Sequence, residues 1–334
     1  MTFRSSGDLG DCLYLLPVIR AIPGKHTIRC VDRPGITGLF TPRILIIKPL
    51  IEAQSYIDKV ECSEKAVDVD LVLFRHFHRS TATLVQAQCS EYNSLNPEEP
   101  VQTNGDTPWL NVEPNQDFNG RIIIARSPRY NNSWFPWRKI VEHYGKRLLF
   151  VGLEQEYKSF TFINGSVERL DVKDFLELAQ AISGAELFIG NQSSPQAVAM
   201  GLGVNIIQEV CLEQPDCIFN RLNVQYVANG ACKLPDITGS GELRLPVAYK
   251  PSDTGNRNIV PPGRWQYPEL PASPHFKLQM SMVMKKETCD AEEADRLLYR
   301  HNVERVPEFF KNQGNDPFAL FDQAMKNAFT TNNP

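Results

Sequence analysis

Short apolar runs alternate with helix-spaced stretches over the first two thirds of the chain. Thr27–Val31, Ile44–Ile47, a stretch around Lys59 and Val60, and Val69–Phe74 read as strands. Asp11–Ala21 reads as a helix, with apolar residues at helical spacing until Gly24 stops it. Turn formers then crowd residues 92–118, as in Asn93-Ser-Leu-Asn-Pro-Glu-Glu-Pro100, and break the rhythm. A second alternating block follows. Its strands are Arg121–Ala125, Arg147–Val151, Glu186–Ile189, Val204–Val210 and Val224–Val227. Its helices are Pro136–Tyr144, Glu154–Phe160, Val172–Ser183 and Pro195–Leu202. Strands alternating with helices predict parallel sheets covered on both faces. The organisation that follows is an α/β chain with βαβ domains at 1–118 and 119–235. Residues 236–334 form a Pro-rich extended segment and a tail with helices at Ala291–Tyr299, Val306–Lys311 and Pro317–Phe329.

Composition narrows the function classes. The 334 residues are 42% hydrophobic and 22% charged, which argues against a disordered chain. A formal net charge of −4 speaks against binding to nucleic acid or anionic lipid through bulk charge. No run reaches the ~18 apolar residues of a membrane span. The apolar run Cys12–Ile19 follows Asp8 and Asp11, where a signal peptide would be positive. The expectation is an unprocessed cytoplasmic protein. None of its eight cysteines sits in a CxxC pair or with zinc spacing, so they read as reduced structural thiols and no metal site is expected.

Five segments could carry chemistry. Ser5-Ser-Gly-Asp-Leu-Gly-Asp11 runs into the first helix; Gly10 lets backbone pass close to a ligand, and the helix start favours anions. Asp11 there is either a helix cap or a general base, and Asp8 stands beside it. Phe188-Ile-Gly-Asn-Gln-Ser-Ser-Pro-Gln196 ends a strand in small polar residues and starts a helix. Asn191, Gln192, Ser193 and Ser194 thus make a neutral phosphate seat at a strand's carboxyl end. Past another strand lies Ala125-Arg-Ser-Pro-Arg-Tyr-Asn-Asn-Ser133, where Arg126 and Arg129 either neutralise a diphosphate or form surface ion pairs. The neighbouring Trp134, Phe135 and Trp137 read as packing ahead of stacking. Glu156, in Gly152-Leu-Glu-Gln-Glu156, either binds ribose hydroxyls or sits solvated at a helix start. Arg75, His76 and His78 belong to a basic cluster ending at Arg79 that either faces an anionic acceptor or is a solvated loop.

Gly7-Asp-Leu-Gly-Asp-Cys-Leu-Tyr-Leu-Leu-Pro17 resembles the N-terminal motif of the heptosyltransferase-like glycosyltransferases, glycosyltransferase family 9. Gly190-Asn-Gln-Ser-Ser-Pro-Gln-Ala-Val-Ala-Met-Gly-Leu202 resembles that family's donor loop, and Ile122–Pro136 with Leu149–Glu156 occupy the positions between. The resemblance covers roughly residues 1–230. It implies a GT-B fold, two Rossmann-like doubly wound domains facing across a cleft, with donor on the second and acceptor on the first. It also implies no metal and no cofactor, a nucleotide-diphosphate sugar as substrate, and Asp11 as the base. Gln192 stands where the family has Asp, Ser194 where it has Gly, and Ala197 where it has His. The family's Lys before Trp-Pro falls near Ser133, a charge that Arg126 or Arg129 can replace. These departures imply a donor other than ADP-heptose, or lost catalysis.

The function expected is a metal-independent inverting glycosyltransferase acting on a glycan or other hydroxyl acceptor. Its alternatives are an inactive nucleotide-sugar-binding or scaffold protein of the same fold, and a glycosyltransferase acting on a modified DNA base.

Overall fold

A computed structural model describes residues 1–6, 8–31, 41–77, 83–211, 216–228, 232, 234 and 235. The expected tail at 236–334, with its three helices, lies outside them. Two all-parallel sheets carry the described fold, as the alternating pattern predicts. The first holds β1 (Thr2–Ser6), β2 (His26–Val31), β3 (Ile57–Cys62) and β4 (Val69–Leu71), in the lateral order β3-β2-β1-β4. The second holds β5 (Ile122–Ala125), β6 (Leu148–Phe150), β7 (Glu168–Arg169), β8 (Leu187–Asn191), β9 (Ile206–Glu209) and β10 (Val224–Val227). Their order is β10-β9-β8-β5-β6-β7. Counted within that sheet this is 3-2-1-4-5-6, the doubly wound order. β5 is fully covered and pairs Ile123 with Leu149 on one side and Phe188 on the other.

The helices are α1 (Leu9–Arg20), α2 (Thr41–Glu52), α3 (Phe74–Phe77), α4 (Leu84–Leu95), α5 (Trp137–Tyr144), α6 (Glu154–Asn164), α7 (Phe175–Gly184) and α8 (Ser194–Leu202). None is long and apolar enough to cross a membrane among the described residues. α1 is buried continuously from Asp11 to Ile19, and its sequence is apolar nearly all round to match. It has to be, because it packs against α4 in its own half and against α8 in the other. α5 shows the opposite pattern, burying only Trp137, Ile140, Val141 and Tyr144, a single stripe.

Several expectations need correcting. Ile44–Ile47 is not a strand but part of α2: Ile44, Ile47, Leu50 and Ile51 are buried, while Leu45 and Ile46 are exposed. Four consecutive apolar residues look alike in either period, and the buried positions of this stretch continue at helical spacing. The strand from Val69 ends at Leu71, and α3 starts at Phe74. Residues 92–95 belong to α4 and not to the turn-rich connection.

The two sheets share one apolar core, built around α1, α2, α7 and α8. Residues 105–111 are stitched to both halves. Gly201 O receives the N–H groups of Trp109 and Leu110, each at 2.8 Å, while Tyr56 Oη donates to Trp109 O at 2.6 Å. A Cβ on Gly201 would sit 2.5 Å from Leu110 Cδ1, so only glycine allows this approach. Tyr14, Trp109 and Phe219 pack as three rings with centroids 5.7–6.1 Å apart. Arg221 lies over Trp109 and Phe219 and donates to the carbonyls of Gly105, Thr107 and Met200. Burial depresses the pKa of this guanidinium.

Candidate functional site

In doubly wound sheets, ligands sit beyond the carboxyl ends of the strands where the winding reverses. The first sheet reverses between β1 and β4, and the second between β5 and β8. Four turns leave those points: β1–α1 with Asp8 and Asp11, β4–α3 with Arg75, β5–α5 with Arg126 to Asn132, and β8–α8 with Gln192 and Ser193. Side chains tie all four together: Arg75 to Asp11 in the first half, Asn191 to the β5–α5 turn in the second, and Arg129 to Asp8 across the halves.

Asp8 is the N-cap of α1 and Asp11 its third residue. Asp11 Oδ2 accepts the Asp8 N–H at 2.8 Å and Arg75 Nη2 at 2.5 Å. Capping and site geometry thus coexist in one carboxylate, which is only 8% exposed. Gln88 of α4 donates to Asp11 O at 2.9 Å and holds the turn from below. Asp8 Oδ2 accepts Arg129 Nη1 at 3.1 Å, and this bond joins the two halves. Arg75 and Arg129 are each about half exposed, and nearby carboxylates raise the pKa of both against the opposing effect of burial. Gly10 lies in the first helical turn with open space where a side chain would be.

The β5–α5 turn is clamped by Asn191. Its amide donates to Ser127 O at 3.0 Å, Arg129 O at 2.6 Å and Asn131 Oδ1 at 3.0 Å, and its carbonyl accepts Ser127 N–H at 3.0 Å. Asn191 is fully buried, so it shapes the turn that presents Arg129. Tyr130, next in the chain, is held at φ 57°, in the left-handed region that costs a non-glycine residue energy. Burial raises its phenol to a pKa of about 12, with Asp216 and Asp11 adding to the rise. Arg126 is committed elsewhere. Its guanidinium bonds Glu209 through Nε at 3.0 Å and Nη2 at 2.9 Å. Glu209, fully buried, also accepts Trp137 Nε1 at 2.7 Å and Asn132 N–H at 2.6 Å. Arg126 is therefore part of the turn's foundation, and of the two arginines Arg129 faces the other turns. Phe135 and Trp137 pack with centroids 4.8 Å apart, while Trp134 is exposed.

α8 opens with Ser193 as its N-cap and Pro195 in the first turn. The Ser194 and Gln196 N–H groups have no acceptor inside the helix, as at any helix start. Ser193 Oγ donates to Asn191 O at 3.1 Å. Gln192 donates from Nε2 to Asp216 Oδ1 at 2.5 Å. Ala197 is buried in the core. Glu156 Oε2 accepts the Leu153 N–H at 2.8 Å at the start of α6, and burial lifts its pKa despite that bond and the pull of Arg129. His76 lies in α3 without a described side chain, and His78 falls outside the described residues.

The site also contains residues that sequence reasoning did not select. Tyr130 lies within the Ala125–Ser133 turn, where Arg126 and Arg129 carry the recognisable charge. Glu209 is the last residue of β9 and lies within the run Val204–Val210 read as a strand, where a carboxylate draws no attention as a site residue. Asp216 carried no local signal at all. Two cavities of about 470 and 490 Å³ open elsewhere, beside Asn93 and Val101 and beside Asp68 and Asp70, and neither is lined by a residue of this cluster.

No family profile and no curated protein matches the sequence. Similar solved structures include heptosyltransferases. The E. coli heptosyltransferase WaaC with ADP is 13% identical, with a TM-score of 0.46, over 67% of this chain and 92% of its own. The same enzyme with ADP-2-deoxy-2-fluoro heptose is 15% identical, with a TM-score of 0.42, over 62% of this chain and 87% of its own. A glycosyl transferase family 9 structure from Veillonella parvula is 14% identical, with a TM-score of 0.44, over 68% of this chain and 85% of its own.

Proposed function

We propose that the chain is a metal-independent inverting glycosyltransferase that moves a sugar from a nucleotide diphosphate to a hydroxyl acceptor. One observation carries the reading. The turns at the two winding reversals are bonded into a single cluster, in which Asp11 meets Arg75, Asp8 meets Arg129, and Asn191 ties the Arg129 turn to the strand that leads into α8. The diphosphate lies on the first turn of α8, where the Ser194 and Gln196 N–H groups and the helix dipole favour an anion. Arg129 leaves Asp8 and takes a phosphate oxygen. The acceptor hydroxyl attacks the anomeric carbon on the face away from the diphosphate. Its O–C bond forms as the bond from carbon to phosphate oxygen breaks, and its proton passes to the Asp11 carboxylate. The leaving charge is met by groups already in place, the economical way to stabilise it. Arg75 holds the Asp11 carboxylate in position.

The test is calorimetry with nucleoside diphosphates and nucleotide sugars, followed by product analysis in the presence of EDTA. The panel spans ADP, GDP and UDP and their sugar esters. Transfer is expected to survive EDTA. Asp11→Ala is expected to lower turnover at least 10³-fold, within the usual span for a lost base, with nucleotide affinity nearly unchanged. Wild-type turnover in that variant overturns the assignment of Asp11. Binding with no turnover on a broad set of hydroxyl acceptors makes the chain a nucleotide-sugar-binding protein instead.

A further inference from the structure

Asp216 takes no part in the transfer step, yet it stands among the same charges. Its charge acts on Arg75, Tyr130 and the buried Tyr14. It also meets Gln192, the first residue past β8, which is 5% exposed. The two ends of the Gln192 amide differ sharply. Nε2 donates to Asp216 Oδ1 at 2.5 Å, and Oε1 is buried with no partner. A carboxylate can only accept hydrogen bonds. Asp216 therefore fixes which end of the amide faces it and turns the carbonyl the other way. Asp216 is anchored in turn: Oδ1 also faces the Cys217 thiol at 3.5 Å, and its backbone carbonyl accepts the Leu84 N–H at 3.1 Å.

We infer that Asp216 is a positioning residue that presents the Gln192 carbonyl as a hydrogen-bond acceptor for a hydroxyl of the bound sugar. This rests on the transferase reading above. Gln192 adjoins Ser193 and Ser194 in the chain and Asp216 in space, so its side chain stands beside the start of α8, next to the Asn191 that clamps the Arg129 turn. The group joined to a diphosphate on α8 and turned toward Asp11 is the sugar. Its hydroxyls are donors, and a buried carbonyl without a partner is a costly group that a donor relieves. A bare nucleoside diphosphate offers no such hydroxyl there, so the effect is confined to sugar-bearing ligands.

Calorimetry with ADP, GDP and UDP, and with their glucosyl, N-acetylglucosaminyl and heptosyl esters, tests this on the full chain. Asp216→Asn allows the amide to turn over. For the nucleotide that binds best, it is expected to weaken the preferred sugar ester about tenfold and the free diphosphate less than twofold. Gln192→Met, which keeps the bulk and removes the carbonyl, is expected to do the same. The double variant is expected to bind the ester no more weakly than Gln192→Met alone, because both act through one amide. Equal losses for ester and diphosphate, or additive losses in the double variant, overturn the inference. If Asp216→Asn does not fold, Gln192→Met still decides, and unchanged ester affinity overturns it. No binding of any nucleotide to the wild type removes the transferase reading and this inference together.

Discussion

At the scale of single residues, Glu209 is the most heavily committed carboxylate in the second half. Arg126, Trp137 and the Asn132 N–H all donate to it, and none of it is exposed. Glu209→Gln keeps the shape but sets an amide N–H₂ among donors and strips Arg126 of its counter-charge. A buried pair broken on one side costs about 3–5 kcal/mol, and urea unfolding is expected to show a loss of that order. Arg126 was legible as a site candidate or an ion-pair member, but its partner was not. Glu209 lies 83 positions away, and only the register of β9 brings it to the β5–α5 turn. Asp8 and Asp11 were legible as candidates because a glycine-containing turn runs straight into the first helix, and Arg129 because polar residues crowd past the apolar strand at Ile122–Ala125. Their mutual bonds were not, because they depend on how the two halves meet.

At the scale of elements, α4 was hidden in the sequence because its inner face is partly polar. That buried face includes Gln88 and Glu91, so the apolar period is broken where the helix meets the turns at Asp11 and Leu73. Gln88 holds Asp11 O, and Glu91 Oε1 accepts the Leu73 N–H at 2.8 Å, bracing the β4–α3 turn that carries Arg75. Burial, reinforced by the negative charge of Asp70, lifts Glu91 from the ordinary 4.5 to about 7, against the pull of the Leu73 and Phe74 N–H groups. The folded state thus holds this proton more tightly than the unfolded chain. Its contribution to stability is complete below about pH 4.5 and is lost as pH rises through about 7. Stability measured by urea between pH 5 and 8 is expected to fall by up to about 3 kcal/mol from this group, at ~1.4 kcal/mol per pKa unit. Glu91→Gln is expected to flatten that part of the curve, and an unchanged slope would show that Glu91 is not its source. The misread α2 makes the complementary point: four adjacent apolar residues carry no period of their own, and the helix shows only when Leu50 and Ile51 are counted with them.

At the scale of the whole molecule, the two βαβ halves were legible from alternation alone, while the lateral order of their strands was not. Strand order depends on which connections cross which face, and no local pattern records that. The seam between the halves was equally silent. Tyr14, Trp109, Phe219 and Arg221 come from four separate stretches, and nothing in their spacing foretells that they pack together. Because one apolar core runs under both sheets, they are expected to unfold together. Hydrogen exchange in rising urea should give β1 and β5 the same opening free energy. Two separate opening steps would mean that the seam is weaker than its packing implies.

The stitched segment at 105–111 has one more consequence. Two lobes joined through shared side chains part only by breaking them, so any swing of one half against the other has to undo the bonds of Gly201, Tyr56 and Arg221. On the proposed transferase reading, ligands then enter by rearranging turns and side chains, and the Asp8–Arg129 bond is the first to yield. On that reading, the turns rather than a hinge decide what passes.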